Sequence, residues 1–161
     1  MSAPVVRRLE DGERAWLTDT IRERWPHPLY VGRGRIVDPA ELSVLVAEVG
    51  AERVGLLTFV QNGDTADVVT LDALVPGLGA ARLLLDALPD HVAATVERLR
   101  LMVTNDNLDG LRRYQQAGFR LHELRVRAID RVREREPWMP VVGRDGIPVR
   151  DEVELVRGLP G

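Results

Sequence analysis

The chain contains no cysteine, which removes disulfides, thiolate metal sites and a cysteine nucleophile, and leaves no requirement for an oxidising compartment. Lysine is absent too. All 22 basic residues are arginine, a bias we read as codon usage in a GC-rich genome, because a solvated arginine face needs no functional cause. No run approaches the roughly 18 apolar residues of a membrane span. The start, Met1 to Arg8, has no apolar stretch behind a basic head, so a soluble cytoplasmic protein is expected. Repeats of 20–50 residues and low-complexity segments are missing, which excludes solenoids and arrays. The 25 acidic residues outnumber the basic ones, for a net charge of -3, and this argues against a nucleic-acid partner, whose phosphates call for an electropositive face. The cluster Arg125, Arg127, Arg131, Arg133, Arg135 is interleaved with Glu134 and Glu136 and reads as a solvated charged face. His27, His91 and His122 share no metal-ligand spacing, and no Ser-His-Asp set exists, so neither a metal nor a covalent serine is implied.

What is present fits one domain over 1–161. Its 161 residues are 45% hydrophobic and 29% charged, and a chain of this length buries about 70% of its unfolded surface. Val5 to Leu9 reads as a short strand. Glu13 to Trp25 reads as a helix, with Trp16, Leu17, Ile21 and Trp25 at helical spacing and Pro26 ending it. Pro26 to Pro39 reads as a loop with at most one short extended piece. Leu42 to Val49, Arg53 to Val60 and Ala66 to Leu74 are β-branched-rich runs, and Asn62-Gly63 marks a hairpin, so an antiparallel meander is expected. Ala80 to Leu88 is an apolar helix that Pro89 ends or kinks. Leu99 to Val103 is a buried-type strand, Leu108 to Ala117 a helix stopped by Gly118, and Phe119 to Ala128 a strand with a phase slip near Glu123 that suggests a bulge. A charged, helix-compatible piece (Ile129 to Glu136), a Pro/Gly-rich loop and a closing strand, Glu152 to Val156, follow. Helices between strands imply parallel neighbours, so the fold class is α+β with one mixed sheet of six to seven strands, parallel around the second and third helices.

Two segments carry chemistry. In Leu74-Val75-Pro76-Gly77-Leu78-Gly79-Ala80-Ala81, small residues pass from strand to helix and leave backbone N–H groups uncovered at a helix N-terminus, where the macrodipole favours anions such as a pyrophosphate. Glycines there are equally ordinary tight-turn residues, and Arg82 stands where a dinucleotide fingerprint would place its third glycine. One strand later, Asn107 can cap the helix, and Tyr114 lies seven residues on, about two turns, on the same side. Each residue also has a plain structural reading: a cap, a core tyrosine, a helix-ending Gly118, a core Phe119.

The pattern Asn107, six residues, Tyr114, three residues, Gly118-Phe119, directly after a buried strand and with Gly77-x-Gly79-x-Ala81 upstream, resembles the GNAT superfamily of acyl-CoA N-acyltransferases. It looks closest to small bacterial members with a TNDN segment, here Thr104 to Asn107, and a Gly-Ile-Pro-x-x-Asp-Glu stretch, here Gly146 to Glu152. The resemblance implies acetyl-CoA as co-substrate. It implies that Gly77, Leu78, Gly79, Ala80, Ala81 and Arg82 wrap a pyrophosphate, and that Leu74 and Val75 run beside the pantetheine with an amide polarising the thioester carbonyl. Asn107 would bond the pantetheine, and Tyr114 would protonate the departing thiolate. Pro76 departs from the pattern, since it has no N–H where the family has a phosphate contact, and Arg82 is the nearest substitute.

Asp72 is the best-placed carboxylate to receive the amine's proton, and a local backbone bond at the strand end is an equal reading. Glu48 and Glu52 are further candidates. The early-loop residues Trp25, Tyr30, Arg33 and Arg35, with Trp138, Arg144 and Asp145, are candidates to shape an acceptor pocket; Arg33 and Arg35 would suit a carboxylate-bearing small-molecule or peptide amine. A CoA-binding module without turnover is the competing reading, encouraged by Pro76. Neither a membrane nor a nucleic-acid partner is expected, and a homodimer is compatible with the sequence.

Overall fold

The computed structural model describes residues 2–160. Strand β1, Val5–Arg8, leads to α1, Arg14–Arg24, and then to a two-stranded hairpin, β2 (Leu29–Gly32) and β3 (Arg35–Val37). The meander follows as β4 (Ser43–Val49), β5 (Glu52–Asn62) and β6 (Thr65–Ala73). Helix α2, Ala80–Ala87, precedes β7, Arg98–Thr104; α3, Leu108–Gln116, precedes β8, Arg120–Arg125; α4, Ala128–Arg135, precedes the closing β9, Glu152–Gly158. Seven strands form one mixed sheet in the order β1-β4-β5-β6-β7-β9-β8. Among the described residues no helix is long and apolar enough to cross a membrane.

Strand β4 shows why the sheet sits inside the molecule. Leu45 and Ala47 join the core under α2, while Val44 and Val46 join the core under α1. A strand buried on both faces needs an apolar residue at every position rather than at alternate ones, and the run Val44 to Ala47 supplies it. Leu17 and Ile21 of α1 close one side and Ala80, Leu84, Leu85 and Leu88 close the other. Each large side chain removed from water there contributes roughly 1.5–3 kcal/mol.

Three expectations need correction. Pro26 to Pro39 is not mainly loop, because the turn at Arg33 and Gly34, both at positive φ, folds it into the β2–β3 hairpin. The strand after α3 stops at Arg125, short of Ala128, and Arg127 adopts positive φ and opens α4; the bulge expected near Glu123 is present, at His122, between the Leu121–Leu155 and Glu123–Glu154 pairs. The sheet is parallel around α2 only, where β6 pairs with β7. Strands β7 and β8 flank α3 without touching, because β9 inserts between them, antiparallel to both. That insertion buries Leu155 completely, which an edge position would leave half-solvated.

Helix α2 approaches the sheet at Gly55. A Cβ there would stand 2.8 Å from the Ala80 Cβ and 2.9 Å from the Leu84 Cδ1, closer than carbon atoms pack. Gly55→Ala is therefore expected to destabilise by about 1–3 kcal/mol. Thermal unfolding checks this, and an unchanged melting temperature would show that α2 does not ride on Gly55.

Candidate active site

The parallel pairing of β6 with β7 covers only Thr65–Asp67 against Arg98–Arg100. Beyond it β6 continues along β5 to Ala73, with a register shift at Val69, and β7 continues along β9 to Thr104. The two strands therefore diverge, and the gap opens into a cleft of about 610 Å³ on the face carrying α2 and α3. That volume lies in the range of small-molecule sites, about 300–1,000 Å³.

One wall is the turn into α2. Gly77 and Gly79 hold φ of 84° and 67°, a region that L side chains reach only at a cost, so both positions call for glycine. A Cβ on either would meet nothing within 4 Å, so the turn leaves its backbone open to the cleft. The first α2 bond is Leu83 N–H to Gly79 O, and the preceding helical amides lack intrahelical acceptors. They give the cleft an electropositive end. Pro76 lines the cleft at the same end. Arg82 also lines it; its Nε donates to Asp86 Oδ2 at 2.9 Å and its Nη1 to Gln116 O at 3.2 Å, tying α2 to α3.

The opposite wall is α3. Asn107 caps it by accepting the Gly110 N–H on Oδ1 at 2.9 Å, which leaves its amide nitrogen uncommitted. Gly110 is forced small, since any Cβ would collide with the Asn107 side chain. Two turns on, Tyr114 lies half-buried, edge-to-face on Phe119 with ring centroids 6.2 Å apart. Both Asn107 and Tyr114 face the cleft. Among the described residues the Tyr114 hydroxyl has no hydrogen-bond partner. Burial pushes its pKa up against the lowering charges of Arg113 and Arg144, so the phenol stays neutral throughout ordinary pH.

The structure brings Asp72 into the same cleft, with Oδ2 accepting from Arg24 Nη1 at 2.5 Å. It gives Leu74 and Val75 a different place from the one expected. Their N–H groups both donate to Val54 O, at 2.9 and 3.3 Å, and Leu71, Asp72 and Ala73 line the cleft instead. Because backbone groups alternate sides along a strand, Leu74 bonding toward β5 turns the Ala73 and Leu71 amides toward the gap. Leu78 and Ala80 stand outside the lining: Leu78 is on the surface and Ala80 is buried under the sheet. Ala81, Arg113 and Gln116 belong to the lining. The register of β6 against β5 was the only signal for Leu71 and Ala73, and it depends on the bulge.

Arg33 and Arg35 are not at this cleft. They lie on the β2–β3 hairpin beside a separate cavity of about 100 Å³ with Arg100, Met102 and Glu154. Arg33 bonds Glu154 Oε1 at 3.0 Å and Glu123 Oε2 at 3.2 Å, and Arg35 bonds Asp67 at 2.9 Å. Glu154 and Asp67 are buried and Glu123 is exposed, and these contacts tie the hairpin to the sheet, away from the cleft where an acceptor-side role was expected of Arg33 and Arg35. Glu154 would rise in pKa on burial, but the hydrogen bond from Arg33 and the charges of Arg33, Arg125 and Arg100 hold it below the usual range. Tyr30 donates to Glu152 Oε2 at 2.5 Å, and burial with that bond pushes the phenol up.

Comparison with known proteins reaches the same architecture from outside. No protein-family profile matches the chain. Two curated proteins of Bacillus subtilis (strain 168) are similar in sequence: the uncharacterised YxbD, 33% identical over 107 residues, 66% of this chain and 67% of that protein, and the uncharacterised YdhI, 27% identical over 139 residues, 85% and 87%. Among solved structures, a Bacillus subtilis acetyltransferase in complex with CoA superposes with a TM-score of 0.69 at 18% identity, over 98% of this chain and 99% of that one. An Elizabethkingia anophelis GNAT family acetyltransferase with acetyl-CoA bound gives 0.66 at 13%, over 99% and 100%. The Escherichia coli ribosomal-protein-S18-alanine N-acetyltransferase gives 0.66 at 15%, over 98% and 96%. With its seven-stranded mixed sheet opened between β6 and β7, the chain has the GNAT acyltransferase fold and belongs to the same family as YxbD.

Proposed function

We propose that this protein transfers an acetyl group from acetyl-CoA to a primary amine, by direct attack while both substrates are bound. One observation carries the reading: a single cleft is lined by the glycine turn and the α2 N-terminus together with Asn107, Tyr114 and Asp72. The neighbours whose structures hold CoA or acetyl-CoA support the choice of donor.

The residues fit such a donor. The Gly77–Arg82 amides offer hydrogen bonds and positive potential to a pyrophosphate, and Arg82 offers a guanidinium where Pro76 has no N–H. The outward Ala73 and Leu71 backbone groups offer the pantetheine a strand to lie along, and the Asn107 amide nitrogen offers it a donor. When bound, acetyl-CoA supplies an acyl carbon activated as a thioester. The amine nitrogen bonds to that carbon as the carbon–sulfur bond breaks. Tyr114 gives its phenolic proton to the leaving sulfur, a basic acceptor. Asp72, held by Arg24, receives the proton that the amine loses, directly or through water. The acceptor is a small-molecule or peptide amine.

The feature that favours a second reading, CoA binding without turnover, is Pro76, which lines the cleft yet offers a phosphate no amide. Free-thiol release from acetyl-CoA with a panel of amines separates the two. Turnover is expected, and binding by calorimetry with no thiol release from any amine would leave the second reading standing.

Tyr114→Phe is expected to lower kcat by about 10²–10⁴-fold with acetyl-CoA affinity nearly unchanged. Turnover equal to the parent protein's would remove Tyr114 from the mechanism.

The tyrosines give a spectroscopic check. The only two in the chain are Tyr30 and Tyr114, and both are raised above the usual value. At about pH 10, where a free tyrosine is half ionised, the folded protein should show less tyrosinate absorbance than the unfolded chain. The stability that these neutral phenols contribute is whole below the unfolded pKa and is lost as pH rises through the folded one. Half-ionisation at that pH while the protein stays folded would show that the phenols are not shielded.

A further inference from the structure

The residues just before α3 do more than lead into it. Asn105 accepts the Arg150 and Asp151 amides on its side-chain oxygen at 2.9 and 3.0 Å, and its amide nitrogen donates to Pro148 O at 2.9 Å. Asp106 is buried; one carboxylate oxygen accepts from the Thr104 hydroxyl, and the other accepts the Arg144 N–H at 3.0 Å. Gly143 lies so close that a Cβ there would stand 2.1 Å from Asp106 Oδ2. Burial alone would raise the Asp106 pKa, but the Thr104 hydroxyl, the Arg144 amide and the Arg144 charge hold it below the usual range. The run Thr104 to Asn107 and the stretch Gly143 to Glu152 therefore form one clasp, closed across 38 to 46 residues of chain.

What the clasp delivers is the Arg144 side chain. It is 61% exposed, and its one ionic partner among the described residues is Asp106 Oδ2, at 3.4 Å, so most of its five donors are free. Side chains on a helix lean toward its N-terminus, so the Tyr114 ring, two turns along α3, reaches back toward the end that the clasp holds. The phenol feels the charge of Arg144 together with those of Arg113 and Asp109. Arg113 and Asp109 pair on α3 at 3.1 Å and act on it in opposite senses; Arg144 adds positive charge from outside the helix.

We propose that Arg144 is a positioning residue for acetyl transfer: held by the clasp beside Tyr114, its guanidinium stabilises the phenolate left when the phenol gives its proton to sulfur. This rests on the reading of Tyr114 as the acid. As the carbon–sulfur bond breaks, its electron pair goes to sulfur and the phenolic proton follows. The negative charge then stays on the phenol oxygen until water returns a proton. A thiol titrates near about 8.5 and a phenol near about 10, so the transfer runs uphill, and the burial of Tyr114 steepens it. A fixed cation nearby offsets that slope, and a guanidinium stays charged at every working pH.

Arg144→Gln keeps the backbone N–H that Asp106 binds and removes the charge. It is expected to lower kcat about three- to tenfold with KM for acetyl-CoA nearly unchanged, and to move the Tyr114 titration to higher pH, with circular dichroism unaltered. Since the chain has two tyrosines, the Tyr114 signal is the tyrosinate absorbance of each protein minus that of its Tyr114→Phe counterpart. Arg144→Lys, still cationic at neutral pH, should recover most of the turnover. A side chain that merely braced the loop would leave the titration in place and would gain nothing from lysine. An unmoved Tyr114 titration in Arg144→Gln, or a lysine variant as slow as the glutamine one, would overturn the proposal while leaving the parent protein's acetyl transfer standing. No thiol release by the parent protein with any amine would instead sink the reading of Tyr114 as the acid, and the role of Arg144 with it.

Discussion

The structure turns on how early β6 and β7 part. Three residue pairs hold them parallel, enough to set the direction of the crossover through α2 but too few to close the sheet. Each strand then keeps hydrogen bonds on its outer side only, β6 with β5 and β7 with β9, so the backbone groups that face the gap are left open. The register shift at Val69 bends β6 away. From that parting follow the open amides of Leu71 and Ala73, the emergence of the Gly77–Gly79 turn at the cleft mouth, and the facing position of α3.

The opposite face of the same region is closed by charge. Glu152 and Glu154 lie essentially buried on β9, a placement that would be prohibitive for bare carboxylates. They are met by Tyr30, by the Arg33 amide and side chain, and by Arg125, whose Nε bonds Glu152. Arg100 and Arg35 converge on buried Asp67 next to them. The partners come from the β2–β3 hairpin as well as from β7 and β8, so the network straps the hairpin over the sheet. Removing one member would strand the others, which is why such a network specifies a geometry more than it adds stability. Its consequence for the cleft is one-sidedness: the way in lies on the α2–α3 face, and the hairpin backs the gap.

Local patterns in the chain carried the elements, because apolar period, proline stops and the Asn62-Gly63 turn act within a few residues. The Asn107–Tyr114 relation was legible for the same reason, since seven residues of helix fix a shared side whatever the rest of the fold does. Arg33 and Arg35 were misjudged because their partners, Glu123, Glu154 and Asp67, lie about 30–120 residues away and only the sheet order brings them near. Leu74 and Val75 fall outside the cleft lining, which takes Leu71, Asp72 and Ala73 instead, because a bulge shifts which backbone groups face outward, and a bulge cannot be counted from composition. The position of β9 between β7 and β8 was equally hidden: strand order is decided by non-local burial, here of Leu155, and not by the sequence of elements.

The arginine-only basic content acquires a meaning in this light that composition alone does not give it. Arg7 joins Glu13 to Glu48, Arg33 joins Glu154 to Glu123, and Arg125 reaches Glu123, Glu152 and Glu154. Arg133 bonds Asp130 and the carbonyls of Met139, Pro140 and Val149. A planar guanidinium with five donors can bridge several acceptors in fixed directions, whereas an ammonium is a point charge on a mobile stem. Codon bias can supply the residue, but bridging determines where it cannot be exchanged. Lysine at Arg112, which pairs only with Asp109 on an exposed helix turn, would change little; lysine at Arg125 would leave at least one of the buried carboxylates short of a donor.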